Sequence, residues 1–344
     1  MPERSAGPEL SELDLALINV LQVAPRISWG DAGDILGTHP TTLAARWDRL
    51  RESGTVWLTA QPKVSTTPPG LAFVSLVCLP GRQDEAVRAL SAVPQVVALD
   101  VCSGGPDLSL LVSAESFAAL TQLLEARITS APGVRHATVG LCTRLHTGNR
   151  QWMLDVLSPG QLARAAALAA PQPALPGQGA VLQEEHLPVA EVLLRDGRAT
   201  AADVARATGL HPATARRYLQ KVLASGQFHI RCDLSQPLTG MPVNVQWAAR
   251  LDAANHDAAA ALLAKDQRTQ VVASLTGRAN FLVIMWMQSP ADALDVEQSI
   301  QERVPGIEII ESMVTLRPVK RLCRVLDQGG VAVEQHVPRI PVLS

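Results

Sequence analysis

Three cations on one predicted helix face are the residues best placed to do chemistry in this chain. After Pro212, residues Ala213, Arg216, Arg217, Gln220 and Lys221 share one side at helical spacing, with Thr214 in the same first turn. Ala215, Leu219 and Val222 share the opposite side. Such a helix is fixed by its apolar stripe and offers cations without an acid on its free face. That suits a polyanion: lysine and arginine neutralise phosphates, and arginine also reads guanine in a major groove roughly 12 Å wide. Backbone N–H groups at the helix start can add a phosphate contact. For the cations alone, a merely solvated face is the plain alternative.

A second helix repeats the plan with weaker charge. Gly37-Thr38-His39-Pro40-Thr41-Thr42 returns as Gly209-Leu210-His211-Pro212-Ala213-Thr214. At the same displacement Arg26 falls on Arg198, Asp31 on Asp203, Ser53 on Ser225 and Gly54 on Gly226. The first copy presents Thr41, Thr42, Ala44, Ala45, Asp48 and Arg49, with Arg46 and Arg51 nearby, around a stripe of Leu43, Trp47 and Leu50. Asp48 and Glu52 offset much of its charge, so the two helices are not expected to read a duplex identically. His39 and His211 are expected to be structural residues at the two helix starts.

Other chemistry is sparse. The five cysteines are scattered and never spaced as CxxC, which argues against a disulfide framework or a zinc site. No Ser/His/Asp set, paired-carboxylate motif, phosphate loop or metal cluster stands out. Neither catalytic residues, a metal nor a cofactor is assigned, and an enzyme is not expected. At a displacement one residue longer, Gly104 with Asp107 falls on Gly277 with Asn280, and Pro132-Gly133 on Pro305-Gly306. These glycine turns are candidate effector contacts. A hairpin needing glycine and an Asx residue explains them without any ligand.

The elements that must position these residues follow from periodicity. Residues 11–64 read as three short helices and a β-wing: Ser11 with Asp14 caps the first, Gly37 ends the second and Pro40 opens the third. Residues 71–147 read as β-α-β-β-α-β, with an amphipathic helix carrying Phe117, Leu120, Leu124 and Ile128. Residues 158–180, rich in Ala, Pro and Gly, read as a linker. Residues 183–234 then repeat the first pattern and 240–320 the second. The fold class is α+β: two winged helix-turn-helix domains and two ferredoxin-like domains in tandem.

Bulk properties agree with that plan. At 344 residues, with 47% hydrophobic and 18% charged residues, the chain can bury several small cores. The net charge of −2 means that nucleic-acid binding must come from local patches. The longest apolar runs, Leu71–Leu79 and Phe281–Met287, are about half of the roughly 18 residues a membrane span needs. Met1–Leu10 has no apolar core, so no secretion signal is read there and the cytoplasm is the expected location.

The order of a helix-turn-helix starting near Leu13-Asp14, a recognition helix ending at Ser53-Gly54, a wing and a β-α-β-β-α-β domain resembles the Lrp/AsnC family of transcription regulators. The resemblance implies double-stranded DNA as partner, contacted by Thr41, Thr42, Arg46 and Arg49 in one reader. In the other, Ala213, Thr214, Arg216, Arg217 and Lys221 make the contacts. It implies a second domain that binds a small effector, often an amino acid, at a G-x-x-D turn, matched by Gly104-Gly105-Pro106-Asp107. The second copy has Gly277-Arg278-Ala279-Asn280, where an ammonium would lose a charged partner. An arginine customary in the recognition helix is kept as Arg46 and replaced by Tyr218 in the second copy. The family's pairing of effector domains implies an intrachain pseudo-dimer, with higher homo-oligomers open to it.

The sharpest alternative is an enzyme of the same fold. Siroheme decarboxylases look like paired Lrp-type subunits, which implies a histidine, an arginine and a Tyr-Asn pair around a tetrapyrrole. Here Tyr218 is the one tyrosine, and the equivalent hairpins read Val101-Cys102-Ser103 and Ser274-Leu275-Thr276, without a histidine.

Overall fold

The computed structural model describes residues 10–62, 66–147, 153–169 and 182–336. Its first elements are α1 (Glu12–Val23), α2 (Trp29–Leu36), α3 (Pro40–Glu52) and β1 (Val56–Pro62). Next come β2 (Leu71–Cys78), α4 (Gln83–Ser91), β3 (Val96–Cys102), β4 (Leu108–Ser113), α5 (Phe117–Leu123) and β5 (Val134–Thr147). After α6 (Pro159–Leu168), the series α7 (Leu187–Arg195), α8 (Ala201–Thr208), α9 (Pro212–Ala224) and β6 (Phe228–Leu234) follows. The remainder is β7 (Val243–Arg250), α10 (His256–Leu263), β8 (Thr269–Leu275), β9 (Phe281–Met287), α11 (Asp292–Arg303), β10 (Glu308–Arg321), β11 (Arg324–Leu326) and β12 (Ala332–Gln335). The chain divides into two compact units, one holding both helical triplets and the other both β-α-β-β-α-β stretches.

In the first unit the helix boundaries obey local chemistry. Ser11 and Asp14 form a reciprocal capping box at α1, and Gly37 ends α2 in the left-handed region at φ 64°. Pro40 and Pro212 open α3 and α9, while Leu43, Trp47, Leu50, Ala215, Leu219 and Val222 are buried as their spacing requires. The expected wing, however, is not a hairpin. β1 is a single strand that pairs antiparallel with β6, from Val56 opposite Leu234 to Pro62 opposite Phe228. Its first five residues are all buried, the continuous pattern of a strand covered on both faces. A lone strand has no ladder partner for its backbone groups, and the matching strand of the other triplet satisfies those along one edge.

Reciprocal arginines sit beside that ladder. Arg26 donates to the carbonyls of Gly197 and Ala199, the latter at 3.1 Å. Arg198 donates to Pro25 O and Ile27 O, both at 2.8 Å, and lies over the Trp29 ring at 4.2 Å. The expected linker also needs correction, because Pro159–Leu168 within it form α6. Ser158 and Gln161 cap that helix as a box. Gln161 donates to Ile35 O at 3.2 Å and Arg164 to Asp34 O at 3.0 Å, docking α6 on α2. Pro171–Gly179 lie outside the described residues.

In the second unit, ten strands form one sheet, and an additional β7–β10 pairing closes it into a barrel. Two separate ferredoxin-like sheets were expected. The difference lies in β5 and β10, each 14 residues long. At about 3.3 Å per residue each spans about 46 Å, enough for two successive partners. β5 pairs with β2 through Leu141 and with β8 from Cys142; β10 pairs with β7 through Val314 and with β3 from Thr315.

Each half keeps its own core, around Leu76, Leu90, Leu99 and Leu108 in one and Trp247, Phe281, Val283 and Ile300 in the other. A further cluster joins strands of both halves: Leu71, Cys142, Ala273 and Leu282, flanked by Phe73, Leu111, Leu275 and Ile284. Ser109 donates to Gln246 across the same interior at 2.9 Å. Phe117, expected on a buried stripe, is 61% exposed, since α5 buries Leu120 and the wider turn that follows buries Ile128. All five cysteines are buried and none forms a disulfide.

Candidate functional site

The two predicted recognition helices differ in what their cations are doing. On α9, Ala213, Arg216, Arg217 and Gln220 are exposed, and Thr214 and Lys221 are half-buried. His211 precedes the helix, with its ring nitrogen 3.4 Å from Ala213 N, the structural role expected of it. Among the described residues, Arg216 and Lys221 have no ion pair, and Arg217 lies over the Tyr218 ring at 5.2 Å. This face is therefore cationic in fact as well as in composition.

On α3, Thr41 and Thr42 are exposed as expected, with His39 Nδ1 2.9 Å from the Thr41 hydroxyl. The arginines behave otherwise. Asp14, 1% exposed, accepts from Arg46 at 3.0 Å and from Arg49 at 2.9 and 3.0 Å. Burial alone would raise the Asp14 carboxyl, but the Ser11 hydroxyl and N–H with the two guanidiniums hold it below the usual carboxylate range. Arg51 pairs with Asp48 at 3.7 Å and with Asp196 at 3.4 Å. Arg49 was expected on the outward face and Arg46 near it; the buried carboxylate ties both to α1.

The glycine turns are built as their types require. Gly104 and Gly277 have φ of 99° and 110°, where L side chains are strained. Asp107 accepts from Cys78 N at 2.6 Å. Asn280 accepts from Leu251 N at 3.0 Å and donates to Leu251 O at 2.9 Å. Cys78 and Leu251 are themselves related by the longer displacement, so both Asx residues pin the same strand end. The exchange of acid for amide preserves that clamp, since either oxygen accepts an N–H. The turns differ in surroundings instead. A Cβ on Gly104 would come within 3.4 Å of Ser312 O, whereas one on the equivalent Gly277 would meet open space.

One cluster in the second unit escaped sequence reasoning altogether. His146 Nε2 lies 2.8 Å and His256 Nδ1 2.7 Å from the Ser274 hydroxyl oxygen. His146 Nδ1 lies 3.3 Å from Asp257, which Arg144 grips at 2.6 and 2.7 Å. The members come from β5, α10 and β8, so no spacing announces them, and the expectation of no Ser/His/Asp set is corrected by tertiary contact. The longer displacement repeats only the outer ion pair, as Arg317 with Asp84 at 4.0 Å.

A proton count shows what this chain holds. With His256 Nε2 3.3 Å from Leu251 O, four links run from Asp257 to that carbonyl. Two neutral imidazoles and one hydroxyl supply three protons, so one link stays empty unless a ring is charged. Burial pushes His146 below its usual value; Asp257 opposes, while Arg144 and His256 add to the depression. A ring with a depressed folded value favours the neutral form, so its contribution is present above about pH 6.5 and is lost as pH falls through the folded value. We expect the calorimetric midpoint of this unit to fall between about pH 7 and 5, and His146→Gln to flatten that dependence. An unchanged slope in the variant would show that other groups carry it.

With this geometry in place, the chain can be set beside known proteins. Residues 10–51 match the AsnC-type helix-turn-helix domain, and residues 71–147 match the Lrp/AsnC ligand binding domain. Both matches lie in the first half of the chain. Two relatives are described as uncharacterized HTH-type transcriptional regulators, from Pyrococcus horikoshii and Pyrococcus abyssi. Each is 22% identical over 138 residues, covering 39% of this chain and 87% of the relative. The crystal structure of the siroheme decarboxylase NirDL superposes with a TM-score of 0.58 at 11% identity, covering 95% of this chain and 96% of that one. The same enzyme in complex with an iron-uroporphyrin III analogue gives 0.58 at 12% identity, over 91% and 93%. At such identity the likeness is one of fold. No helix among the described residues is long and apolar enough to cross a membrane.

Proposed function

We propose that this chain is a sequence-specific, DNA-binding transcriptional regulator of the Lrp/AsnC type acting in the cytoplasm. Its tandem halves form an intrachain pseudo-dimer, so one polypeptide presents α3 and α9 to neighbouring half-sites of a duplex. The observation that carries this reading is the exposed, unpaired cationic face of α9 beside an AsnC-type helix-turn-helix. The β1–β6 ladder and the exchange of Arg26 and Arg198 support the pairing of the two readers. The second unit takes a small effector, of which an amino acid is the leading class, near the turns at Gly104 and Gly277. Asp107 and Asn280 act there as clamps that hold the turn. Crosslinking the protein to DNA in its own cells and sequencing the bound fragments tests the proposal. A shared motif with two unequal halves is expected; recovery of fragments without one would overturn it.

A second reading has one specific observation in its favour. Arg144, His146 and His256 gather in a fold shared with a siroheme decarboxylase. Tyr218, by contrast, belongs to the helical unit, where its ring packs on His186. Incubation of the purified protein with siroheme decides between them. A perturbed Soret band with loss of substrate carboxylates would establish the enzyme, and an unchanged spectrum would leave the regulator.

A further inference from the structure

The cations of the two readers are equal in number: Arg46, Arg49 and Arg51 on α3, and Arg216, Arg217 and Lys221 on α9. Their availability differs, and the cause lies under the helix. At the displacement relating the two triplets, Asp14 falls on His186, Ser11 on Gln183, Arg46 on Tyr218 and Arg49 on Lys221. The backbone link survives the exchange. Ser11 N donates to Asp14 at 3.1 Å, and Gln183 N donates to His186 Nδ1 at 2.9 Å. The side-chain chemistry does not survive. The buried His186 ring meets Tyr218 with centroids 4.7 Å apart and a 60° tilt, the edge-on type of arrangement that aromatic pairs favour.

An ion pair in one reader has thus become an aromatic pair in the other. The positions are coupled, because an acid beneath Tyr218, or an uncharged ring beneath Arg46, would leave a buried charge or donor without its partner. Among the described residues Lys221 then has no ion pair, while Arg49 keeps its pair with Asp14. A cation already paired with a carboxylate, as exposed Arg49 is with buried Asp14, displaces fewer counterions when it nears a phosphate.

We propose that the residue beneath each recognition helix, Asp14 in one reader and His186 in the other, sets how many cations that reader offers to DNA phosphates. This rests on the DNA-binding reading above and deepens it: α9 supplies the electrostatic grip, and α3 contributes mainly through its short side chains, Thr42 and Ala45. The operator is accordingly asymmetric, with phosphate contacts concentrated on the half-site under α9.

The test is the salt slope of binding to a labelled random-sequence duplex of about 30 base pairs, long enough for two half-sites a helical turn apart. Anisotropy titrations between about 50 and 200 mM KCl give the slope. His186→Asp with Tyr218→Arg leaves net charge and Lys221 intact, yet it is expected to lower the slope by about 0.9, one contact's worth, because Lys221 is captured. Asp14→His with Arg46→Tyr is expected to raise it by a similar amount as Arg49 is released. Far-UV circular dichroism and a retained thermal transition qualify each variant.

The single variants Lys221→Ala and Arg49→Ala, both outside the buried stripes, keep the proposal falsifiable should a core exchange fail to fold. The lysine change should lower the slope by about 0.9 and the arginine change by clearly less. Equal falls, or unchanged slopes in both folded exchanges, would overturn the proposal while leaving DNA binding in place. A wild-type slope near zero would instead overturn the DNA-binding reading on which it rests.

Discussion

Changing Arg216, Arg217 and Lys221 together to alanine is expected to lower the salt slope of duplex binding by about 2.7, at ~0.9 for each of three lost phosphate contacts. Affinity at about 0.1 M salt should fall on the order of several hundred-fold. The size of the effect follows from the net charge of −2, which leaves local patches to supply the attraction. None of the three residues contributes to the Ala215, Leu219 and Val222 stripe, and alanine is the best helix former, so α9 should keep its place. The contrasting change is Thr41→Ala with Thr42→Ala on α3. The Thr41 hydroxyl is already engaged by His39, so a smaller loss with little change in slope is expected. Equal losses from the two variants would show that the readers share the work evenly.

What could be read in advance was set within a few residues of itself. The Ser11–Asp14 box, the left-handed Gly37, Pro40, the buried stripes and the glycine at each hairpin all follow from short-range sterics and hydrogen bonding. α6 was legible by the same logic, since Ser158-Pro159 followed by Gln161 is a capping signal; alanine-rich composition masked it as a linker. The rest depended on partners far along the chain. β1 looks like half of a wing until β6 supplies its ladder. The 14-residue lengths of β5 and β10 have no meaning until a second sheet edge takes up the surplus.

Site chemistry divides the same way. Helical phase places Arg46 and Arg49 near the outward face, but only tertiary structure reveals a buried carboxylate close enough to reclaim them. Asp107 and Asn280 look like a divergence in ligand chemistry, yet they turn out to be two ways of accepting one N–H. Ser274 and its two histidines come from separate elements, and no pattern of types or spacing connects them.

The second large effect concerns the junction of the two readers. Arg198→Ala is expected to lower the stability of the helical unit by about 2–3 kcal/mol: two charge-assisted hydrogen bonds at ~1.5 each and a cation–π contact near 1, less a returned desolvation cost. That cost is real. Burial, then the neighbouring Arg26, push the Arg198 guanidinium down to about 10, and the group is nonetheless charged at neutral pH. Its bonds to Pro25 O and Ile27 O are therefore charge-assisted and offset part of the burial. Arg198→Lys should recover only part of the loss, because an ammonium lacks the planar fork that reaches both carbonyls while stacking flat on Trp29. Adding Arg26→Ala should cost less than the sum of the single changes, since each loss relieves the repulsion felt by the other. Calorimetry resolving the helical unit's transition measures these effects. If instead the double variant loses the full sum, the arginines act as independent clamps, and their closeness at the junction has no energetic meaning.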